Sequence, residues 1–200
     1  MSNAFFDAVK NRRSIYALSK ESPVSDERIE EIVKEAVKHT PSSFNSQSAR
    51  VVVLFGEQHD KLWNHTEEIL RKIVNNEENF KATAEKMASF RAGHGTVLFF
   101  EDTNVIAGLQ QQFAAYADNF PIWSEQSSGM LQFVVWTALE QEGLGASLQH
   151  YNPIIDEAVA AEWGIPENWK LRAQMPFGKI AAPAGEKQFQ PLEDRVKVFK

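Results

Sequence analysis

Apolar and polar positions fall into blocks whose period changes along the chain. Residues 3–12 place Phe5, Phe6 and Val9 on one side of a short helix. From Ser25 the apolar positions are Ile29, Ile32, Val33, Ala36 and Val37. Steps of three and one trace a single helical stripe. Ser25 is suited to cap this second helix, Asp26 and Glu27 occupy its first turn, and Pro41 ends it. Arg50-Val-Val-Val-Leu-Phe55 is rich in β-branched residues and Gly56 stops it, which predicts a buried strand. Residues 58–74 and 79–92 predict two amphipathic helices. Thr96-Val-Leu-Phe-Phe100 predicts a second strand, and 104–118 another helix, broken at Pro121.

Residues 124–142 carry Met130, Leu131, Phe133, Val134, Val135, Trp136, Ala138 and Leu139. This segment is apolar nearly all round, so a helix buried on every side is expected. Gly143 and Gly145 follow as stop and turn. A strand near 146–149, a helix at 153–162 and a strand at 171–177 complete the pattern. The tail from 181 to 200 ends in Arg195-Val-Lys-Val-Phe199 and needs a surface to pack on, for which a second subunit is one candidate. Few strands among many helices, without clean β-α-β alternation, predict an α+β fold: a small sheet with helices around a long central one.

Composition narrows the function. The 200 residues suit one domain spanning 1–200. With 43% apolar and 24% charged residues, disordered and collagen-like classes are excluded. No run of about 18 apolar residues occurs, so no membrane span is expected. The opening segment lacks the apolar core of a secretory leader, which makes the cytoplasm the expected compartment. A net charge of −6 argues against a nucleic-acid partner. A cysteine count of 0 excludes disulfides and thiol redox chemistry, so any electrons must travel on a bound cofactor. His39, His59, His65, His94 and His150 lack metal-ligand spacing, so no metal is expected.

Three constellations could carry chemistry. Arg12, Arg13 and Ser14, beside Tyr16, offer guanidinium forks and a hydroxyl to an anion; a basic helix end complementing its dipole is the alternative. Pro41, Ser42, Ser43, Asn45 and Gln47 are rich in hydroxyls and amides that suit the edge of a heterocycle, or an ordinary polar turn. Gly143-Leu-Gly145 followed by Gln149 and His150 could bring backbone N–H groups to a flat ring. Phe120 and Trp123 are candidates for a substrate channel, with aromatic core as the alternative.

Together and in this order, these pieces resemble the nitroreductase family of FMN-dependent oxidoreductases over nearly the whole chain. Pro176-Phe-Gly-Lys179 and Lys187 are consistent with it. The segments Tyr116-Ala-Asp-Asn-Phe-Pro-Ile-Trp123 and Leu148-Gln-His-Tyr-Asn-Pro153 are similar to a subgroup of small bacterial nitroreductases related to fungal Frm2-like proteins, one of them copper-induced. The resemblance implies a nitroreductase-like fold with a mixed or antiparallel sheet. It implies a homodimer holding FMN at the subunit interface. Arg12, Arg13 and Ser14 would bind the phosphate and ribityl end, joined by Lys187. Pro41, Ser42, Ser43 and Asn45 of the other subunit would face the ring, with Gln47 in the same motif. Backbone N–H groups around Gln149 and His150 would lie near flavin N5 and O4. NAD(P)H would pass hydride to N5, and a small aromatic acceptor, a nitroaromatic or quinone, would take it. A competing reading is a protein that holds FMN, or senses its redox state, with little turnover. One departure is Tyr16, where many relatives carry a cation near the pyrimidine end of the ring.

Overall fold

Four of the described helices start where a side chain accepts from one of their first free N–H groups. The structure is a computed structural model describing residues 3–200; residues 1 and 2, where the leader reading begins, lie outside it. Asn3 caps α1 (Ala4–Asn11), and Ser25 accepts from Arg28 N at the start of α2 (Asp26–His39). Strand β1 (Leu18–Ser19), which the pattern does not predict, lies between them. The first long strand, β2 (Ala49–Phe55), runs into α3 (Gly56–Val74), with Gly56 at φ +53 opening the helix. Asn76 caps α4 (Glu77–Arg91), and Asp102 ends β3 (Gly95–Asp102) while capping α5 (Thr103–Gln112). A 3-10 turn at Ala114–Tyr116 leads into α6 (Phe120–Gln141). The expected helix at 104–118 is therefore shorter. Pro121 begins α6 rather than breaking a helix, because its missing N–H costs nothing in a first turn.

The last elements are β4 (Leu144–Ala146), α7 (Asp156–Trp163) and β5 (Trp169–Ile180). The strand expected at 146–149 lies earlier, and the helix expected at 153–162 starts three residues later. Strand order is β1-β5-β3-β2, with β4 also pairing β5, and every named pair is antiparallel. An α+β architecture follows, as the pattern predicts.

Strand β3 is buried along its whole length, so helices cover both faces of the sheet. Val97, Phe99, Ala173, Met175 and Phe177 meet Ile29, Val33 and Ala36 of α2 and Leu131, Val135 and Leu139 of α6. Leu98, Phe100 and Leu171 meet Leu62 and Trp63 of α3, Met87 and Phe90 of α4, and Val159 of α7. Each such side chain contributes about 1.5–3 kcal/mol when fully buried.

Helix α6 departs from expectation. Only one side of it reaches the core, through Leu131, Val135 and Leu139 with Ser124, Ser127, Ser128 and Gln132. Ile122, Met130, Phe133 and Val134 are 36–56% exposed on the chain's own surface. The all-round apolar pattern therefore belongs to a helix with one intramolecular face and one apolar face left open. The tail beyond β5 forms no helix or strand, and Phe189, Leu192, Val196, Val198 and Phe199 are exposed on it.

Candidate functional site

Helix α1 ends at Asn11, and the chain leaves it toward β4. Ile15 N donates to Ala146 O at 2.9 Å, and Ser14 bridges Ala146. Gly145 permits this approach: a Cβ there would stand 2.9 Å from both Ile15 Cβ and Cγ2. Gly143, at φ +82, makes the turn. Gly145 is therefore required by packing against Ile15, and Gly143 by its left-handed backbone.

Arg12 is half-buried, with its guanidinium 4.3 Å from the Trp136 ring centre and 5.9 Å from that of Phe133 on α6. Its Nε and the Trp136 Nε1 are buried donors without an acceptor. Burial lowers the Arg12 pKa, the charge of Arg13 adds to this, and Glu140 opposes it. Arg13 Nη2 donates to Gly185 O at 2.7 Å. Neither arginine forms an ion pair with a described residue. A cleft of about 410 Å3 is lined by Arg13, Ser14, Tyr16, Gly185 and Glu186. Ser14 is exposed, and Tyr16 is 54% exposed. Lys187 follows this lining in the tail, with Nζ 5.2 Å from the Phe189 ring centre.

Gln149 is buried. Its N–H donates to Gln174 O at 2.7 Å and its Nε2 to Ser147 Oγ at 3.0 Å. That backbone N–H is thus committed to β5, which corrects the expectation that it is free for a ring edge. His150, the next residue, is exposed, and no described residue accepts from its N–H.

The second half of the site lies elsewhere on the chain. Thr40 terminates α2, donating Oγ1 to Ala36 O at 2.7 Å. A 3-10 turn at Ser43–Asn45 follows, in which Phe44, Asn45 and then Gln47 adopt φ of +56, +52 and +50. Left-handed backbone costs an L-residue about 1–2 kcal/mol, less for asparagine. Local bonds hold it: Gln47 N donates to Ser42 Oγ at 2.9 Å, and Arg50 Nη1 to Gln47 O at 2.9 Å. A groove of about 260 Å3 beside it is lined by Pro41, Ser42, Gln47, Ser48, Ser127 and Leu131.

The turn pushes Phe44 into a cluster of rings. Its centre lies 4.8 Å from Phe113, 5.3 Å from Phe120 and 6.1 Å from both Tyr116 and Trp123, the last nearly parallel at 19°. Phe44 is 51% and Tyr116 48% exposed, whereas Phe120 is 2% exposed and belongs to the core. Sequence reasoning named Phe120 and Trp123 and missed Phe44 and Tyr116. The density of rings from 113 to 123 was the available signal.

Arg12, Arg13, Ser14, Tyr16, the 145–150 segment and the start of the tail therefore come together. Pro41, Ser42, Ser43, Asn45 and Gln47 do not join them: no described hydrogen bond, ion pair or ring contact links the two groups. The exposed face of α6 lies on the same helix that carries Trp136 toward Arg12 and Trp123 toward Phe44. One chain thus carries the two groups apart.

No described helix is long and apolar enough to cross a membrane. The profile of the nitroreductase family matches residues 9–179. The Saccharomyces cerevisiae nitroreductase homologue HBN1 is 40% identical over 94% of this chain and 93% of its own length. FRM2, a nitroreductase of the same yeast, is 33% identical over 92% of each. The nitroreductase CinD from Lactococcus lactis, solved in complex with chloramphenicol, is 51% identical, with a TM-score of 0.91 over 98% of this chain and 100% of that one. Fold, motif order and these likenesses agree, and the chain belongs to the nitroreductase family, a family of flavin-dependent oxidoreductases of nitro compounds.

Proposed function

We propose that two copies of this chain bind FMN at their interface and use NAD(P)H to reduce flat, electron-poor acceptors, namely nitroaromatics and quinones. The observation that carries this reading is Arg12, a half-buried guanidinium whose buried Nε has no acceptor among the described residues, beside a second arginine that makes no ion pair with a described residue. An unsatisfied buried donor costs about 1–3 kcal/mol. A phosphate would satisfy it with short charge-assisted hydrogen bonds.

The residues present fit the cofactor. Arg12, Arg13 and Ser14 would hold its phosphate and ribityl end, with Lys187 reaching the same end from the tail. His150 N–H would meet the ring edge, with Gln149 holding the backbone behind it. Pro41, Ser42, Ser43 and Asn45 of the second copy would cover the ring, with Gln47 closing their turn. Bound FMN supplies hydride chemistry at N5; the protein binds, orients and excludes water. Phe44, Tyr116 and Trp123 form a wall for the acceptor. Chloramphenicol, which CinD holds, is itself a nitroaromatic.

A second copy also accounts for the open apolar surface. Met130, Phe133 and Val134, each 36–42% exposed, would contribute about 0.5–1 kcal/mol apiece if the remainder were covered. The same partner gives the apolar side chains of the tail something to pack on.

The test is direct. Purified protein is titrated with FMN, then supplied with NADH or NADPH and either 4-nitrophenol or 1,4-benzoquinone. Tight binding and steady donor oxidation are expected. Protein that stays colourless after FMN is added would sink the reading. Flavin bound but negligibly reduced would favour the redox-sensing alternative.

A further inference from the structure

Glu101 belongs to none of the motifs, yet it is fully buried near the end of β3. It follows Val97 and Phe99 on the sheet face that meets α6, where an apolar side chain would be the ordinary choice. Its Oε2 accepts from Ser48 Oγ at 2.6 Å and from Ser124 Oγ at 2.7 Å, while Oε1 has no described partner. Burial pushes its pKa up, against the pull of the two hydroxyls; Glu125 adds to the rise and Arg172 opposes it. Arg172 does not neutralise it at close range, since its Nη2 pairs with Glu125 at 2.6 Å. A carboxyl kept in such a place is a cost to the fold, because burial favours apolar groups there.

The two serines explain what the carboxyl holds. Ser48 directly follows Gln47, the last left-handed residue of the Phe44 turn. Ser124 directly follows Trp123, whose ring lies nearly parallel to Phe44. One oxygen atom thus fastens together the two backbone segments that carry facing rings. Elsewhere these segments are joined by ring contacts, Phe44 to Phe120 at 5.3 Å and to Trp123 at 6.1 Å, worth about 0.5–1.5 kcal/mol each.

We propose that Glu101 is a positioning residue of the acceptor site: through Ser48 and Ser124 it fixes the separation of the Phe44 turn from the Trp123 end of α6, and so the aperture of the aromatic wall. This rests on the reading of that wall as the acceptor's binding surface.

The experiment uses FMN-loaded protein. It measures the Kd of 4-nitrophenol by calorimetry, the KM and kcat for its reduction, and the Kd of FMN. Glu101→Leu removes the acceptor of both hydroxyls. The Kd and KM for 4-nitrophenol should rise about three- to tenfold, the factor that loss of one aromatic contact carries. The Kd of FMN should not follow. Glu101→Gln keeps a carbonyl oxygen for both serines and should restore Kd and KM. If Glu101→Leu does not fold, the Ser48→Ala/Ser124→Ala double variant makes the same cut from the other side.

Unchanged 4-nitrophenol Kd in Glu101→Leu or the double-serine variant overturns the proposal. A parallel rise in FMN Kd also overturns it, since that marks a general structural role. Failure of Glu101→Gln to restore Kd does so too. Phe44→Leu separates the two levels: if its 4-nitrophenol Kd is unchanged, the wall reading falls and the proposal with it. If only Phe44→Leu weakens binding, the wall stands and Glu101's role is refuted.

Discussion

The two halves of the candidate site are held by opposite means. Around Arg12–Tyr16 the backbone does the holding: Ile15 is bonded to Ala146, and Gly145 leaves room for the approach. Arg12 and Arg13 make no ion pair with a described residue there. Around Phe44 the backbone is left-handed at three residues; main-chain bonds such as Asn45 N–H to Ser42 O and Asp102 N–H to Ser48 O close the turn, but rings and a buried carboxyl are what join it to α6. A half fixed by main-chain bonds tolerates unsatisfied charges. A half fixed by side chains changes shape when any of them changes. On the proposed function, cofactor capture would belong to the first half and acceptor preference to the second, with α6 as the element that links them.

The severest way to break this arrangement is to charge the open face of α6. Val134→Asp places a carboxylate on a surface that the second copy would cover, and burying an unpaired charge costs several kcal/mol. The expected outcome is a single-chain mass by sedimentation and loss of flavin colour on gel filtration. A variant that still sediments as a dimer with FMN bound would mean that the halves meet across some other surface.

Arg12→Ala tests the backbone-held half alone. Hydrogen bonds to charged groups are worth about 1.5–3 kcal/mol, so the Kd of FMN should rise about 10- to 150-fold. Thermal stability of the flavin-free protein should change much less, because removing the unsatisfied buried Nε offsets the lost contact with the Trp136 ring. Equal losses in FMN affinity and melting temperature would instead make Arg12 a structural residue.

The side-chain-held half is tested by its backbone. Gln47 is exposed at φ +50, and its side chain makes only a long 3.4 Å bond to Asn45 O. Gln47→Ala and Gln47→Gly lose the same side chain, but glycine alone relieves the left-handed strain. Gln47→Gly should be the more stable by about 1 kcal/mol, or about 2–4 °C in Tm for a chain of this size. Identical melting curves would show that the turn stores no such strain.

Much of this was legible in sequence, for physical reasons that particular residues show. The stripe Ile29, Ile32, Val33 and Ala36 named the buried side of α2, since a helix with one apolar face leaves one choice. In α6 the apolar residues run nearly all round, so periodicity could not say which side faces the chain's own core. Gly145 read as a ligand approach because spacing does not reveal that Ile15 stands over it. Phe44 was hidden as the variable position inside a polar motif. Glu101 was invisible because a carboxylate in an apolar strand carries no period and gains its meaning from Ser48 and Ser124, 53 and 23 residues away.

The smallest expected effect concerns Tyr16, which lines the cleft with Arg13 and Ser14 and is 54% exposed. A phenol there can offer a hydrogen bond to the flavin's pyrimidine end but no positive charge. Reduction of a flavin toward its anion places negative charge at that end, so a cation would favour the reduced form. Because the position is open to water, the attraction is screened: about 1 kcal/mol for unit charges at 4 Å in water-like dielectric. For a two-electron couple that corresponds to about 20 mV. Tyr16→Arg should therefore raise the flavin midpoint potential by roughly that amount in spectroelectrochemical titration, and the rise should shrink as salt is added. An unmoved or lowered potential would show that position 16 does not face the reducible end of the ring, and would shift the ring's placement relative to the backbone-held half.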